Sequence, residues 1–237
     1  MGIENRIAII TGATGGLGRV VAKKFAKQGA RLVLVSTNDA KLQQLVGELD
    51  VAEDHILGLI ADLSQPAAAK EITEKVLAKF GHIDILLHLV GGWSGGKPVV
   101  DVDDEQVEFM LQQHLWTTYH LAQSIIPVMT ENRWGRILVI SSPVASYPEA
   151  NTAPYAIGKA AQEALMLTVA REAKGTGITA NMILVKKIDT GYDREQQPSA
   201  KNADWTTPEE ITATLFHLCA KESSMINGAR IPLYGGS

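Results

Sequence analysis

The chain has 237 residues, 46% of them hydrophobic and 20% charged, with a net charge of −4 and a pI near 5.9. That balance offers no basic footprint for nucleic acid or an anionic membrane surface, and a single cysteine, Cys219, excludes an internal disulfide framework. No apolar run is long enough to span a bilayer, so the expectation is one α/β domain over residues 1–237, cytoplasmic by default, with no metal centre and no membrane partner.

In chain order, Arg6 to Thr11 is a short β-branched apolar run that stops at the glycine cluster Gly12-Ala-Thr-Gly-Gly-Leu-Gly18. Val20, Val21, Ala22, Phe25 and Ala26 follow at helical spacing, and Gly29 closes them. Strand, glycine turn and helix in that order suit a pyrophosphate: the glycines let backbone approach closely, and the helix N-terminus offers free N–H groups.

A second apolar run, Arg31 to Val35, ends in Ser36-Thr37-Asn38 before a helix from about Asp39 to Leu49. A carboxylate closing such a strand would accept the ribose 2′-hydroxyl of NAD. Ser36 and Thr37 bring hydroxyls without charge, and Arg19 is the nearby cation, so the position favours NADP(H), with NAD(H) the alternative.

Strand three, His55 to Ala61, runs into Asp62-Leu63, and a helix from about Pro66 to Phe80 is closed by Gly81. Strand four, Ile83 to Val90, enters a glycine-dense loop, Gly91 to Pro98, at the strand end where ligands bind in open parallel sheets. One long helix is predicted from Asp103 or Asp104 to near Met129, with His114 on its apolar stripe as either a core histidine or a proton relay. Strand five, Arg136 to Ser141, leads to Ser142 and then to a helix capped by Asn151 or Thr152 and continuing to Gly175. Strand six, Ile178 to Val185, is followed by a polar loop of about twenty residues, then a helix from Pro208 to Ala220 and a last strand from Ala229 to Leu233. Short apolar strands alternating with amphipathic helices predict a doubly wound parallel sheet of about seven strands, covered on both faces as a three-layer α/β/α Rossmann fold.

Tyr155 and Lys159 lie one helical turn apart, so phenol and ammonium share a face. An ammonium beside a phenol favours phenolate and would lower the Tyr155 pKa. A carbonyl oxygen held between Tyr155 and the Ser142 hydroxyl could be reduced, or an alcohol oxidised, with a hydride donor alongside.

With these residues placed, the chain resembles the short-chain dehydrogenase/reductase family from end to end. The matches run in order through Thr11, Gly12, Gly16 and Gly18; Asp62; Gly91; Ser142, Tyr155 and Lys159; Asn181; Ile188 and Thr190; and Gly228 with Gly235-Gly236. The glycine spacing also fits the longer, two-domain relatives that act on nucleotide sugars, but the chain length favours the short branch. The resemblance implies an NAD(P)(H)-dependent oxidoreductase acting on a small carbonyl compound or alcohol as a homodimer or homotetramer. It assigns cofactor contacts to Gly12, Thr14, Gly16, Leu17, Gly18, Ser36, Thr37, Asp62, Leu63, Gly91, Tyr155, Lys159, Ile188 and Thr190. Tyr155 would exchange the proton, Lys159 would tune it and hold the nicotinamide ribose, and Ser142 would position the oxygen.

Three departures stand against the pattern. His88-Leu89-Val90-Gly91 replaces the family's Asn-Asn-Ala-Gly and lacks its strand-tying amide. His114 stands where the family has an Asn in a proton path, and Val185-Lys186 replaces a Pro-Gly turn. These departures motivate an alternative in which the fold binds cofactor without catalysis, as a redox sensor or oligomeric partner. Trp93, Tyr192 and Trp205 are the expected pocket aromatics.

Overall fold

A computed structural model describes residues 2–235; the terminal Gly236 lies outside them. Seven strands, β1 (Ile7–Thr11), β2 (Arg31–Ser36), β3 (Ile56–Ile60), β4 (Ile85–His88), β5 (Gly135–Ser141), β6 (Ile178–Leu184) and β7 (Arg230–Pro232), form one sheet in the order β3-β2-β1-β4-β5-β6-β7. Every pairing is parallel. Strand order reverses between β1 and β4, and the crevice beyond their carboxyl ends is where such sheets take ligands.

The continuous apolar strands alternate between two cores. On one face Ile7, Ile9, Val139 and Met182 pack against α3 (Ala68–Phe80), α5 (Thr117–Glu131) and α6 (Ala153–Glu172). On the other, Ala8, Ile10, Leu34 and Ile183 pack against α1 (Gly16–Lys27), α2 (Asp39–Glu48) and α8 (Pro208–Cys219). The remaining helices are α4 (Asp104–Leu111) and the four-residue α7 (Asp193–Gln196). Among the described residues no helix is long and apolar enough to cross a membrane.

Away from the crevice, Asp84 anchors the amino-terminal edge of the sheet. Its buried carboxylate accepts from the Arg6 guanidinium at 2.7 Å and from the Ile7 amide at 2.9 Å. The Trp134 ring lies between the guanidinium groups of Arg6 and Arg136, 3.9 and 4.4 Å from its centroid.

Two expectations change. The long helix from Asp103 is broken into α4 and α5 by a π-helical turn, Gln112–Trp116. The apolar stripe continues across the break, so periodicity does not reveal it. The turn's extra residue carries His114 into the protein, where it is fully buried. Likewise the segment after β6 is not a featureless loop. Asp189 accepts from the Asp193 and Arg194 amides, both at 2.9 Å, and starts α7. Strand ends differ from the predicted bounds by a residue or two, inward by two at both ends of β4 and outward by one at β2 and β5.

Gly158 lets α6 approach α4. A Cβ there would lie 2.8 Å from the Met110 carbonyl oxygen and 3.0 Å from the His114 ring. Gly158→Ala should therefore destabilise the protein by about 1–3 kcal/mol, the usual cost of overpacking. Urea unfolding checks the loss, and an unchanged midpoint would show that the helices can part freely.

Candidate active site

The glycine turn is built by backbone contact. Gly12 has φ +66°, and a Cβ on Gly18 would lie 2.2 Å from the Gly12 carbonyl oxygen, so no larger residue fits there. Gly15 caps α1 without a side-chain bond, and the first turn carries no acid that would compete for its N–H groups. A Cβ on Gly16 would meet the Thr190 methyl at 2.5 Å, so the segment after β6 lies directly over the turn. Leu17 instead turns its side chain into the core.

Beside this turn lies a cavity of about 220 Å³ lined by Gly12, Thr14, Ser36, Thr37, Asp62 and Leu63, six of the expected cofactor positions. The hydroxyls of Thr14 and Ser36 are 2.8 Å apart, and Ser36 also accepts from the Asn38 amide at 3.1 Å. Asp62 accepts from the Ser64 amide at 2.9 Å, and that bond holds its carboxyl below the ordinary range. Arg19 is not among the residues that line this cavity. Its guanidinium is 2.5 Å from Glu48, which also binds Lys23 at 2.8 Å, and the two cations hold the Glu48 pKa at about 2.

A second cavity, about 510 Å³, opens beyond β4, β5 and β6 and is lined by Gly91, His114, Tyr155, Lys159 and Ile188. It adjoins an outer one of about 620 Å³ that includes Ser142, and Tyr155 lines both. The nearby Ser142 hydroxyl favours the ionised form of Tyr155, yet burial is the larger influence and raises the Tyr155 pKa. The expected lowering by Lys159 is thus not the dominant effect, because the phenol is desolvated and the ammonium lies 5.9 Å from the ring centroid. Lys159 is itself buried, and desolvation lowers its pKa to about 7 against the opposing pull of Glu163.

The Lys159 ammonium donates to the Ile140 carbonyl at 2.7 Å and to Gln162 Oε1 at 3.1 Å. Gln162, wholly buried, donates to Thr118 at 2.9 Å, whose hydroxyl donates to the His114 carbonyl at 2.6 Å. Because the Thr118 proton is spent on that carbonyl, its oxygen must accept, which fixes the Gln162 amide with its oxygen toward Lys159. One turn further along α6, Glu163 accepts from Ser141 at 2.6 Å and pairs with Arg230 at 2.7 Å. Neither Gln162 nor Glu163 stands out in the sequence. The available signal was two adjacent polar residues on the side of α6 that carries Lys159.

The two histidines have defined tasks. The Thr117 hydroxyl donates to the Gln113 carbonyl, so it accepts from His88 Nε2–H at 3.0 Å. His88 Nδ1 therefore accepts from Thr11 at 2.8 Å, tying β4 to β1 and to α5 in place of the absent amide. His114 lies 3.1 Å from the Gly92 carbonyl through Nε2 and packs edge-on against Tyr155, centroids 5.5 Å apart. Burial first, and the Lys159 charge second, lower both imidazoles to about 3. Of the two readings of His114, its burial favours the core histidine, since desolvation holds the ring in its neutral form.

At the rim Val185 is buried and Lys186 is exposed and paired with Asp204. Ile188 bridges Thr206, and Asn181 ties β6 to the approach to β7 by accepting from the Ala229 amide at 2.9 Å and donating to the Ile226 carbonyl at 2.8 Å.

A family model described as short chain dehydrogenase matches residues 6–201. The chain belongs to that family. Its members catalyse nicotinamide-dependent oxidoreduction. Over all of its length and 98% of theirs, the chain is 27% identical to the 3-oxoacyl-[acyl-carrier-protein] reductase FabG of Escherichia coli K12 and 30% identical to the (2S)-[(R)-hydroxy(phenyl)methyl]succinyl-CoA dehydrogenase subunit BbsD of Thauera aromatica. It is 28% identical to the 1,6-dihydroxycyclohexa-2,4-diene-1-carboxylate dehydrogenase of Pseudomonas putida, over 98% of this chain and 93% of that one. A short chain dehydrogenase from Bacillus anthracis superposes with a TM-score of 0.87 at 28% identity, covering 98% of this chain and 96% of the other.

The buried Lys159 has a signature in stability. Between about pH 7 and its ordinary 10.5, the unfolded chain keeps the Lys159 proton while the folded one has lost it, so wild-type stability rises across that window. The stability of Lys159→Met relative to wild type should therefore be highest below pH 7 and fall as pH rises toward 10.5. Urea midpoints of both proteins across that range check it. A difference independent of pH would refute the lowered pKa.

Proposed function

We propose that this chain is an NAD(P)(H)-dependent oxidoreductase that interconverts a carbonyl compound and its secondary alcohol, with Tyr155 exchanging the proton. The observation that carries the reading is the meeting of Tyr155, Ser142 and Lys159 around one cavity system, next to a glycine turn whose close contacts leave backbone open to a pyrophosphate. The relatives in the comparisons are by name oxoacyl reductases and dehydrogenases of hydroxylated acids or thioesters, which fits carbonyl and alcohol chemistry.

The residues present suit a dinucleotide. Gly12, Gly16 and Gly18, with the first turn of α1, would hold the pyrophosphate, and Thr190 would close over it. Asp62 and Leu63 would face the adenine, and Ser36 with Thr37 the ribose. When bound, the nicotinamide supplies or accepts the hydride.

The protein's part is geometry and the proton. Burial keeps Tyr155 a phenol at neutral pH, ready to protonate the oxygen of a carbonyl as charge develops there. Ser142 stabilises the phenolate that results and aligns the substrate oxygen. Lys159 has donated two of its three ammonium protons to Ile140 and Gln162, which leaves one N–H for the cofactor ribose and the site. Gln162, Thr118 and the π-helical turn hold that orientation, and His114 holds Gly92 at the cavity wall.

Tyr155→Phe should lower turnover by about 10²–10⁴-fold, the span of general acid catalysis, while leaving cofactor affinity intact. Steady-state rates on a carbonyl panel with nicotinamide fluorescence titration measure both. A variant as active as wild type would sink the assignment.

The reading includes a preference for NADP(H), resting on the hydroxyls of Ser36 and Thr37 where a carboxylate would repel a 2′-phosphate. NADPH should bind about tenfold tighter than NADH, a difference of about 1.4 kcal/mol. Because Arg19 is engaged by Glu48, Arg19→Ala should reduce that preference only slightly. Tighter binding of NADH in the same titration would reverse the cofactor assignment and leave the oxidoreductase in place.

A further inference from the structure

Resting on that reading, we infer that the substrate carries a carboxylate and that Lys187 receives it, at the junction of the two cavities beside Tyr155. Four residues wall both cavities: Trp93, Tyr155, Lys186 and Lys187. The inner cavity is lined by three lysines, Lys159, Lys186 and Lys187, and by no acidic side chain. A concave apolar site lined by one sign of charge concentrates the opposite sign.

The three lysines are not equivalent. Lys159 is buried and committed to Ile140, Gln162 and the proton chemistry. Lys186 is neutralised by its ion pair with Asp204, a bond that raises its pKa. Lys187 has no carboxylate partner among the described residues. Its ammonium rests on the face of Trp205, 3.4 Å from the ring centroid. The ring's quadrupole holds a cation without cancelling its charge.

The Lys187 side chain is exposed, and the backbone that carries it is held in place. Its carbonyl accepts from the Thr206 amide at 3.0 Å, and the next residue, Ile188, bridges Thr206. Its platform is fixed too: the Trp205 carbonyl accepts from Arg194 at 2.7 Å, and Arg194 pairs with Glu210 at 2.6 Å. The charge is therefore presented at a set place on the cavity wall, which is what a recognition group needs.

The anion belongs to the substrate and not to the cofactor. Lys187 lines neither the glycine turn nor the cavity beside Ser36, where the phosphates and the ribose would lie. The outer cavity also holds Lys201 and Glu149, one charge of each sign, which together add no net charge. One uncompensated ammonium matches a monoanion, so a carboxylate fits better than a phosphate dianion. Trp93, Tyr147 and Trp205 supply apolar surface for the substrate body between the anion and the reacting carbonyl.

The test uses the cofactor-loaded protein with a homologous series of oxo acids and their ethyl esters. Wild type should favour the acids, and Lys187→Gln should lower the acid-over-ester ratio of kcat/KM by about tenfold, as expected for loss of a charged hydrogen bond. Lys187→Arg should retain the preference, and Lys187→Glu should reverse it. Equal use of acids and esters by wild type, or a ratio unmoved by Lys187→Gln, overturns the inference while leaving the oxidoreductase standing. Preference for an oxo phosphate over the matching acid overturns the choice of carboxylate.

Calorimetric binding of the same oxo acids to Tyr155→Phe, with and without Lys187→Gln, gives a readout that does not depend on turnover. If no compound turns over and acid binding still weakens with Lys187→Gln, the carboxylate site holds and the oxidoreductase reading fails. If acid binding is absent or unmoved by Lys187→Gln, the carboxylate site fails, and turnover of the carbonyl panel by wild type decides the oxidoreductase reading separately.

Discussion

The site depends on keeping one cation, Lys159, almost wholly buried at the wall of the inner cavity. A buried ammonium is costly unless its protons are spent on well-placed acceptors. This chain assembles those acceptors from three directions. The end of β5 offers the Ile140 carbonyl, α6 offers Gln162 and the charge of Glu163, and the π-helical turn anchors Gln162 through Thr118 and the His114 carbonyl. Loss of any one frees a polar group inside the protein. The same burial lowers the Lys159 pKa to about 7 and raises that of Tyr155, so the two groups are pushed in opposite directions. Separation of that kind is how neighbouring groups acquire distinct proton roles.

Much of the fold was legible in the sequence for physical reasons that operate locally. A parallel sheet buries both faces, so its strands read as unbroken apolar runs, and the glycine turn announces itself because Gly18 has no room for a Cβ. Ser142, Tyr155 and Lys159 were legible because helical spacing and their order along the chain put them together. The π-helical turn was not, since one inserted residue leaves the hydrophobic stripe intact. Nor was α7, whose start depends on Asp189 reaching two amides and whose end depends on Asn202 bonding the Asp193 and Gln197 carbonyls. These are side-chain to backbone bonds that carry no period. Arg19 shows what sequence proximity leaves out: it lies next to the glycine turn in the chain, and in the fold its guanidinium pairs with Glu48 from the end of α2.

The departures from the family pattern become intelligible once their partners are known. The missing amide after β4 is replaced by a neutral imidazole that performs the same tie in a single defined tautomer, donating to Thr117 and accepting from Thr11. His114 replaces another amide and spends its Nε2 on Gly92. Both substitutions exchange an amide for a ring that must stay uncharged, and burial ensures that it does. Each of these two departures that suggested a decayed site thus has a structural replacement.

The third departure is different in kind, because Lys186 and Lys187 add charge where a turn usually only bends. Charge at a cavity mouth works only if the segment carrying it stands still. Here the backbone is held at Thr206 from one side and at Leu233 through the Thr206 hydroxyl from the other. Tyr192 adopts φ +57°, a left-handed conformation that costs an aromatic residue on the order of 1–3 kcal/mol. Asp189, accepting from the amides of Asp193 and Arg194, and a 2.8 Å bond from the Tyr192 hydroxyl to Glu209 hold it there. Strain sustained by long-range ties is characteristic of a surface shaped in advance of its ligand. The rim after β6 therefore acts as part of the rigid site, and the backbone position of Lys187 follows from the same ties that fix Ile188 and Thr190.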